Sequence, residues 1–141
     1  MKCFKKVMFG LMMVVSLCAF IPKAEATQLY VSNNRNGSTL YVAVLYLMDK
    51  GSNTWFAKGW FSVEPYSARS LYFNHAQGNT LWIHAYNKNY EWGGDRYFYV
   101  VHEAFHYDTH YPNALQGTNK RKVGFSPLYK DEYGIVNFFA E

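Results

Sequence analysis

Cysteine is nearly absent from this chain. Of 141 residues only Cys3 and Cys18 are cysteine, and both lie within the first 26. That opening segment carries Lys2, Lys5 and Lys6, then an apolar run over residues 7–20, a break at Pro22 and the triplet Ala24-Glu25-Ala26. A basic start, an apolar middle and an A-x-A site are the pattern of a secretory signal peptide, here cut after Ala26. The apolar run is shorter than the roughly 18–20 residues that span a bilayer. Leu17 stands before Cys18 where a lipoprotein signal needs a small residue. The chain is therefore expected to be exported, to the periplasm or beyond, with residues 27–141 as one domain and no transmembrane segment. With no cysteine left, that domain can form no disulfide and use no cysteine nucleophile.

An excess of charge of one sign is missing as well. The whole chain has 14 Lys+Arg against 10 Asp+Glu, a net of +4. Residues 1–26 hold four of the lysines and one glutamate, so residues 27–141 carry ten basic and nine acidic groups. A net of +1 gives no ground for a nucleic-acid or anionic-membrane partner. The one basic run, Lys120-Arg121-Lys122, reads as a solvated loop or strand edge. Three further signatures are lacking: the nucleophile elbow G-x-S-x-G, the phosphate loop and the dinucleotide fingerprint. Glu91 and Asp95 could be written as a carboxylate pair, but acidic residues in a turn more commonly cap it.

What the chain does have is aromatic residues. All 13 tyrosines, all four tryptophans and eight of 11 phenylalanines fall in residues 27–141. Each buries a large area, so 115 residues can build a core without cross-links. The pattern around them is that of strands. Residues 28–33 form a short strand, and 39–48 (TLYVAVLYLM) are apolar on both faces, as a central strand covered on both sides would be. Residues 54–63 (TWFAKGWFSV) alternate, with Trp55, Ala57, Gly59, Phe61 and Val63 on one face, up to Pro65. Further strands are expected at 69–73, 80–86, 97–107, 122–128 and 134–140. A turn at Gln77-Gly78-Asn79 and a loop over 87–95 separate some of them. No stretch has a clear helical period. Short strands with turn chemistry between them predict a single all-β domain, an antiparallel β-sandwich or barrel.

Three stretches also carry a resemblance. Residues 29–47 (LYVSNNRNGSTLYVAVLYL), Gly59-Trp60-Phe61 with Pro65, and Trp92-Gly93-Gly94-Asp95 with Phe98 resemble, in order and spacing, the domain of unknown function 1036 family of small, often exported bacterial proteins. The resemblance implies an extracytoplasmic β-domain and names no activity. Many members carry cysteines where this chain has Ala68 and Tyr99, so a family disulfide would be missing here.

One motif points to an enzyme. Residues 102–110 read HEAFHYDTH, and His102-Glu103-Ala104-Phe105-His106 fits the zinc-protease pattern H-E-x-x-H. In such a site both histidines ligate zinc and the glutamate, here Glu103, is the base. The chemistry requires a helix, which sets residues i and i+4 about 6 Å apart at Cβ. On a strand they stand about 13 Å apart. The aromatic and β-branched run YFYVV leads into the motif, and Thr109, Tyr111 and Pro112 follow, so the segment is expected to continue a strand begun near Tyr97. A looser metal site could be made from His106, Asp108 and His110, with zinc as the candidate ion.

The reading favoured by the residues is a non-catalytic binding or accessory module. Trp60 and Trp82 fall on the more polar faces of their strands and Trp92 in a loop, while Trp55 belongs with the core. With Tyr86 and Tyr90, these three form a candidate aromatic surface for a cell-wall glycan or an extended peptide of an envelope protein. A structural role in envelope assembly, through strand edges, is a third reading.

Overall fold

The computed structural model describes residues 26–34 and 37–141, and the expected signal segment lies outside them. Ten strands follow in order: β1 (Ala26–Asn33), β2 (Leu40–Asp49), β3 (Thr54–Val63), β4 (Ser67–Asn74), β5 (Gln77–Tyr86), β6 (Glu91–Trp92), β7 (Arg96–Val100), β8 (Phe105–Asp108), β9 (Arg121–Tyr129) and β10 (Ile135–Ala140). A single 3₁₀ turn, Pro112–Ala114, interrupts the loop before β9. The domain is all-β, and none of the described helices is long and apolar enough to cross a membrane.

The strands form two sheets. The larger has the order β7-β9-β5-β2-β3-β8, with β6 on β5; the smaller is β10-β1-β4. In a flat sheet the terminal strands β7 and β8 would lie roughly 24 Å apart, at about 4.8 Å per strand. Yet only residues 101–104 join them. The five steps from Val100 to Phe105 reach at most about 17 Å. The sheet must therefore curl until its edges approach. Across the seam the Tyr107 hydroxyl donates to the Tyr99 carbonyl at 2.7 Å, and Trp60 Nε1 donates to the Val101 carbonyl at 2.8 Å.

Curling creates two cores. The inner one lies on the concave face and contains Ala43, Leu45, Ala57, Val100, Phe105, Tyr107 and Phe125, with Trp55, Trp60 and Trp82 packed against it. The outer one lies between the convex face and the small sheet, and joins Leu29, Val31, Leu71, Phe73 and Val136 to Leu40, Val42, Val44, Leu81 and Ile83. Strand β2 feeds both cores by alternation, as its doubly apolar sequence predicts.

Four local expectations are corrected. First, β3 does not alternate throughout. Val42 pairs with Phe61 but Val44 with Lys58, so a bulge shifts the register. A one-residue shift exchanges faces. Trp55 and Ala57 thus face the inner core while Phe61 and Val63 enter the outer one, and Trp60 crosses to the inner side. Second, β5 starts at Gln77 rather than after Asn79; the turn falls at His75, with φ of 66°. Third, residues 87–95 contain β6, which pairs Glu91 with Tyr86 and Trp92 with Ala85. Fourth, the strand expected over 97–107 is two strands: β7 pairs with β9, and β8 pairs with β3 at the other end of the sheet. Residues 101–104 turn between them because one continuous strand cannot serve both edges.

The seam yields a pH prediction. Tyr107 is buried, and burial pushes its hydroxyl up to about 12. A phenol in the unfolded chain ionises near 10. The raised folded value means stability is complete below roughly pH 10 and is lost as pH climbs to about 12. The loss expected is on the order of 2–3 kcal/mol. Denaturant melts between pH 9 and 12 should show it, and Tyr107→Phe should flatten that alkaline limb. An unchanged limb in the variant would remove Tyr107 as its cause.

Candidate functional site

The concave face opens at one end of the curled sheet, where the end of β5 lies beside the start of β2. Tyr86 and Tyr41 are direct cross-strand partners there. Their rings stack at 5.3 Å and 28°. Trp60, brought to this side by the β3 bulge, meets Tyr86 nearly perpendicularly at 5.0 Å and 86°. It meets Phe105 at 5.7 Å in the same manner. The bond from its indole to Val101 holds the Trp60 ring in place between them.

Three adjoining depressions share Tyr86. The first, about 470 Å³, is lined by Tyr41, Trp60, Ser62, Tyr86, His102 and Ala104. The second runs along Tyr86, Asn87, Asn89, Tyr90, Glu91 and Arg121. The third is bounded by Ser38, Thr39, Tyr41, Asn87 and Lys88. The loop between β5 and β6 is built on Asn87, which is buried. Its Oδ1 accepts from the Asn89 and Tyr90 amides at 2.9 and 2.7 Å. Its own amide donates to the Tyr90 carbonyl at 2.9 Å. An Asx turn of this kind replaces backbone ladder bonds and sets Tyr90 at the rim.

Beneath the groove lies a buried histidine. His84 sits where β5 exchanges one partner for another: Thr80–Ile83 pair with β9, while Ala85 and Tyr86 pair with β6. The His84 Nδ1 is 2.8 Å from the Gly124 carbonyl, and Nε2 is 3.1 Å from Glu91 Oε2. A carbonyl oxygen only accepts, so Nδ1 carries a proton. The Glu91 contact is then fully attractive only when Nε2 is protonated too. Burial, the strongest influence, holds the His84 pKa below that of an ordinary imidazole; the Gly124 carbonyl and Glu91 pull it back up, and Arg121 lowers it. The Gly93-Gly94 pair passes this point with its backbone against Gly124 and Phe125. A Cβ on Gly93 would stand 2.9 Å from His84 Nδ1, and one on Gly94 would meet the Phe125 carbonyl oxygen.

The sequence-based candidates divide. Trp60 and Tyr86 meet in the groove, and Tyr90 lines the adjoining depression. Trp82 lies on β5 four residues before Tyr86, about 13 Å along the strand, with the Arg96 guanidinium 4.9 Å from its ring centre. The same guanidinium is 4.8 Å from Trp55, so this cation closes the opposite end of the concave face. Trp92 points to the other side of the sheet and packs edge-on against Phe138 at 6.0 Å. Tyr41 and Arg121 were not among the candidates. Tyr41 occupies an alternate position of β2 with Ala43 and Leu45, a signal that could have placed it on the inner face.

The H-E-x-x-H segment is a bend followed by a strand, without a helical turn. His102 is exposed and lines the groove. His106 lies on the opposite face, its Nε2 2.8 Å from the Tyr46 hydroxyl and its ring 5.3 Å from Phe56. The two histidines therefore cannot converge on one ion. Glu103 accepts from the Thr118 amide and hydroxyl at 2.7 and 2.8 Å, and these bonds hold its carboxyl below the usual range. His110 Nδ1 is 3.6 Å from Asp108. Among the described residues no three His, Cys, Asp or Glu side chains gather in a way that could hold a metal. No family model, curated protein or solved structure matches this chain.

Proposed function

We propose that this protein is an exported, non-catalytic binding module whose groove around Tyr86 receives an extended glycan of the cell envelope. The observation that carries this is the convergence of three depressions on one tyrosine, with Tyr41 and Trp60 fixed beside it on a rigid sheet. Rings locked before binding offer apolar area with little entropy left to lose. Asn89, Ser62 and Thr39 supply hydrogen-bonding groups between them, as a sugar's hydroxyls require. Export is the reading of the opening segment, and the resemblance to the domain of unknown function 1036 family agrees with an extracytoplasmic site of action.

The test is retention on cell-wall polysaccharide and titration with soluble oligosaccharides. Tyr86→Ala and Tyr41→Ala should each weaken binding by about tenfold, the effect of losing one stacking ring. Tyr72→Ala, on the exposed outer face of the small sheet, should leave it unchanged. Binding that survives both groove substitutions would place the ligand elsewhere.

A further inference from the structure

The groove's charges are arranged unevenly. Among the described residues both ion pairs involve histidine, and none joins a lysine or arginine to a carboxylate. Arg121, at the start of β9, lines the depression between Tyr86 and Tyr90. Its Nη1 donates to the Asn119 carbonyl at 3.1 Å, which leaves most of the five guanidinium donors uncommitted. Lys88 stands on the other flank of Tyr86 and also has no acidic partner among the described residues. Among the described residues Glu91 is the only carboxylate that lines any of the three depressions, and it is turned toward His84 Nε2 at 3.1 Å. The site thus keeps its cations free and draws its one anion aside.

We infer that the ligand of this groove is an acidic glycan, and that Arg121 seats a sugar carboxylate beside Tyr86. The inference rests on the binding reading given above and adds the class of sugar. A half-buried guanidinium matches a planar carboxylate through two parallel N–H···O bonds, which an ammonium cannot imitate. The domain as a whole is close to neutral, so this is a local preference and not a general attraction to polyanions. Arg121 is near enough to Tyr86 to oppose the rise that burial imposes on the Tyr86 hydroxyl, in keeping with a cation directed at that ring's polar end.

Calorimetric titration with tetragalacturonate, with cellotetraose as a neutral oligosaccharide and with a sulfated tetrasaccharide, at fixed ionic strength, tests the inference. Tetragalacturonate should bind at least tenfold more tightly than cellotetraose and than the sulfated sugar. Arg121→Gln should abolish that advantage while leaving the melting temperature unchanged, and Arg121→Lys should restore only part of it. Equal affinity for acidic and neutral sugars would overturn the inference and leave the groove reading in place. So would a uronate preference that persists in Arg121→Gln. A sulfated sugar bound as tightly as the uronate would also overturn it, since the fork would then not be selecting a carboxylate. Failure to bind any oligosaccharide would remove both.

Discussion

Gly124→Ala should destabilise the protein by about 3 kcal/mol or more, the upper end of what overpacking a close contact costs. Replacing a glycine ordinarily gains about 0.4–1 kcal/mol by restricting the unfolded chain, so the expected sign is the reverse of the usual one. The reason is backbone against backbone. A Cβ on Gly124 would overlap the Gly94 carbonyl, and Gly93 and Gly94 press on Gly124 and Phe125 from the other side. Neither segment can yield by turning a side chain. If Gly93-Gly94 retreats, it draws the adjoining Glu91 and Trp92 away from their β5 partners and strains the Glu91 contact with His84. Gly51→Ala is the control: it sits in an exposed turn, its nearest contact would be the Asp49 carboxylate at 3.6 Å, and it should change stability by less than about 0.5 kcal/mol. Urea unfolding of both variants decides the matter, and a Gly124→Ala protein as stable as wild type would refute the close-packing account.

Trp60→Ala should cost about 3 kcal/mol or more as well, by a different route. The indole fills space against Phe105, His84 and Tyr86, and truncating a large ring in such a place usually costs about 3–5 kcal/mol. Its Nε1 is also the donor to the Val101 carbonyl, whose residue is fully buried. That carbonyl would be left without its partner, a further penalty of about 1–3 kcal/mol. Trp60→Phe separates the two effects, because it keeps most of the ring and deletes the donor; it should lose about 1–2 kcal/mol. The melts should be two-state, so midpoint and slope can be compared directly. A Trp60→Ala variant within 1 kcal/mol of wild type would show that the groove wall is not held as described.

The same tryptophan shows where local pattern stops being informative. In TWFAKGWFSV the alternation is correct up to Gly59 and wrong afterwards, because the bulge depends on how β3 pairs with β2. HEAFHYDTH is the converse case. Its neighbours were enough to argue against a helix, and the bend and strand found there agree. But the break at 101–104 follows from the sheet curling back on itself, which nothing within nine residues encodes. The groove is the least legible part. Its rings and cations come from positions 41, 60, 86, 88, 90 and 121, and they meet because β2 adjoins β5 and β9 begins beside the β5–β6 loop. Arg121 looked like one member of a solvated basic run, and only its neighbours in space distinguish it from Lys120 and Lys122.

What the amino-acid sequence determined by itself was the all-β class, the strand-rich aromatic core, the absence of any disulfide in residues 27–141 and the doubly covered central strand. These follow from alternation, residue type and turn chemistry, which act over a few neighbours. The tertiary structure decided which face each ring occupies, that the sheet curls, and that Glu91 turns to His84 while Arg121 meets no carboxylate among the described residues. Those outcomes depend on register and strand order, and a one-residue change in pairing exchanges the faces of every side chain beyond it.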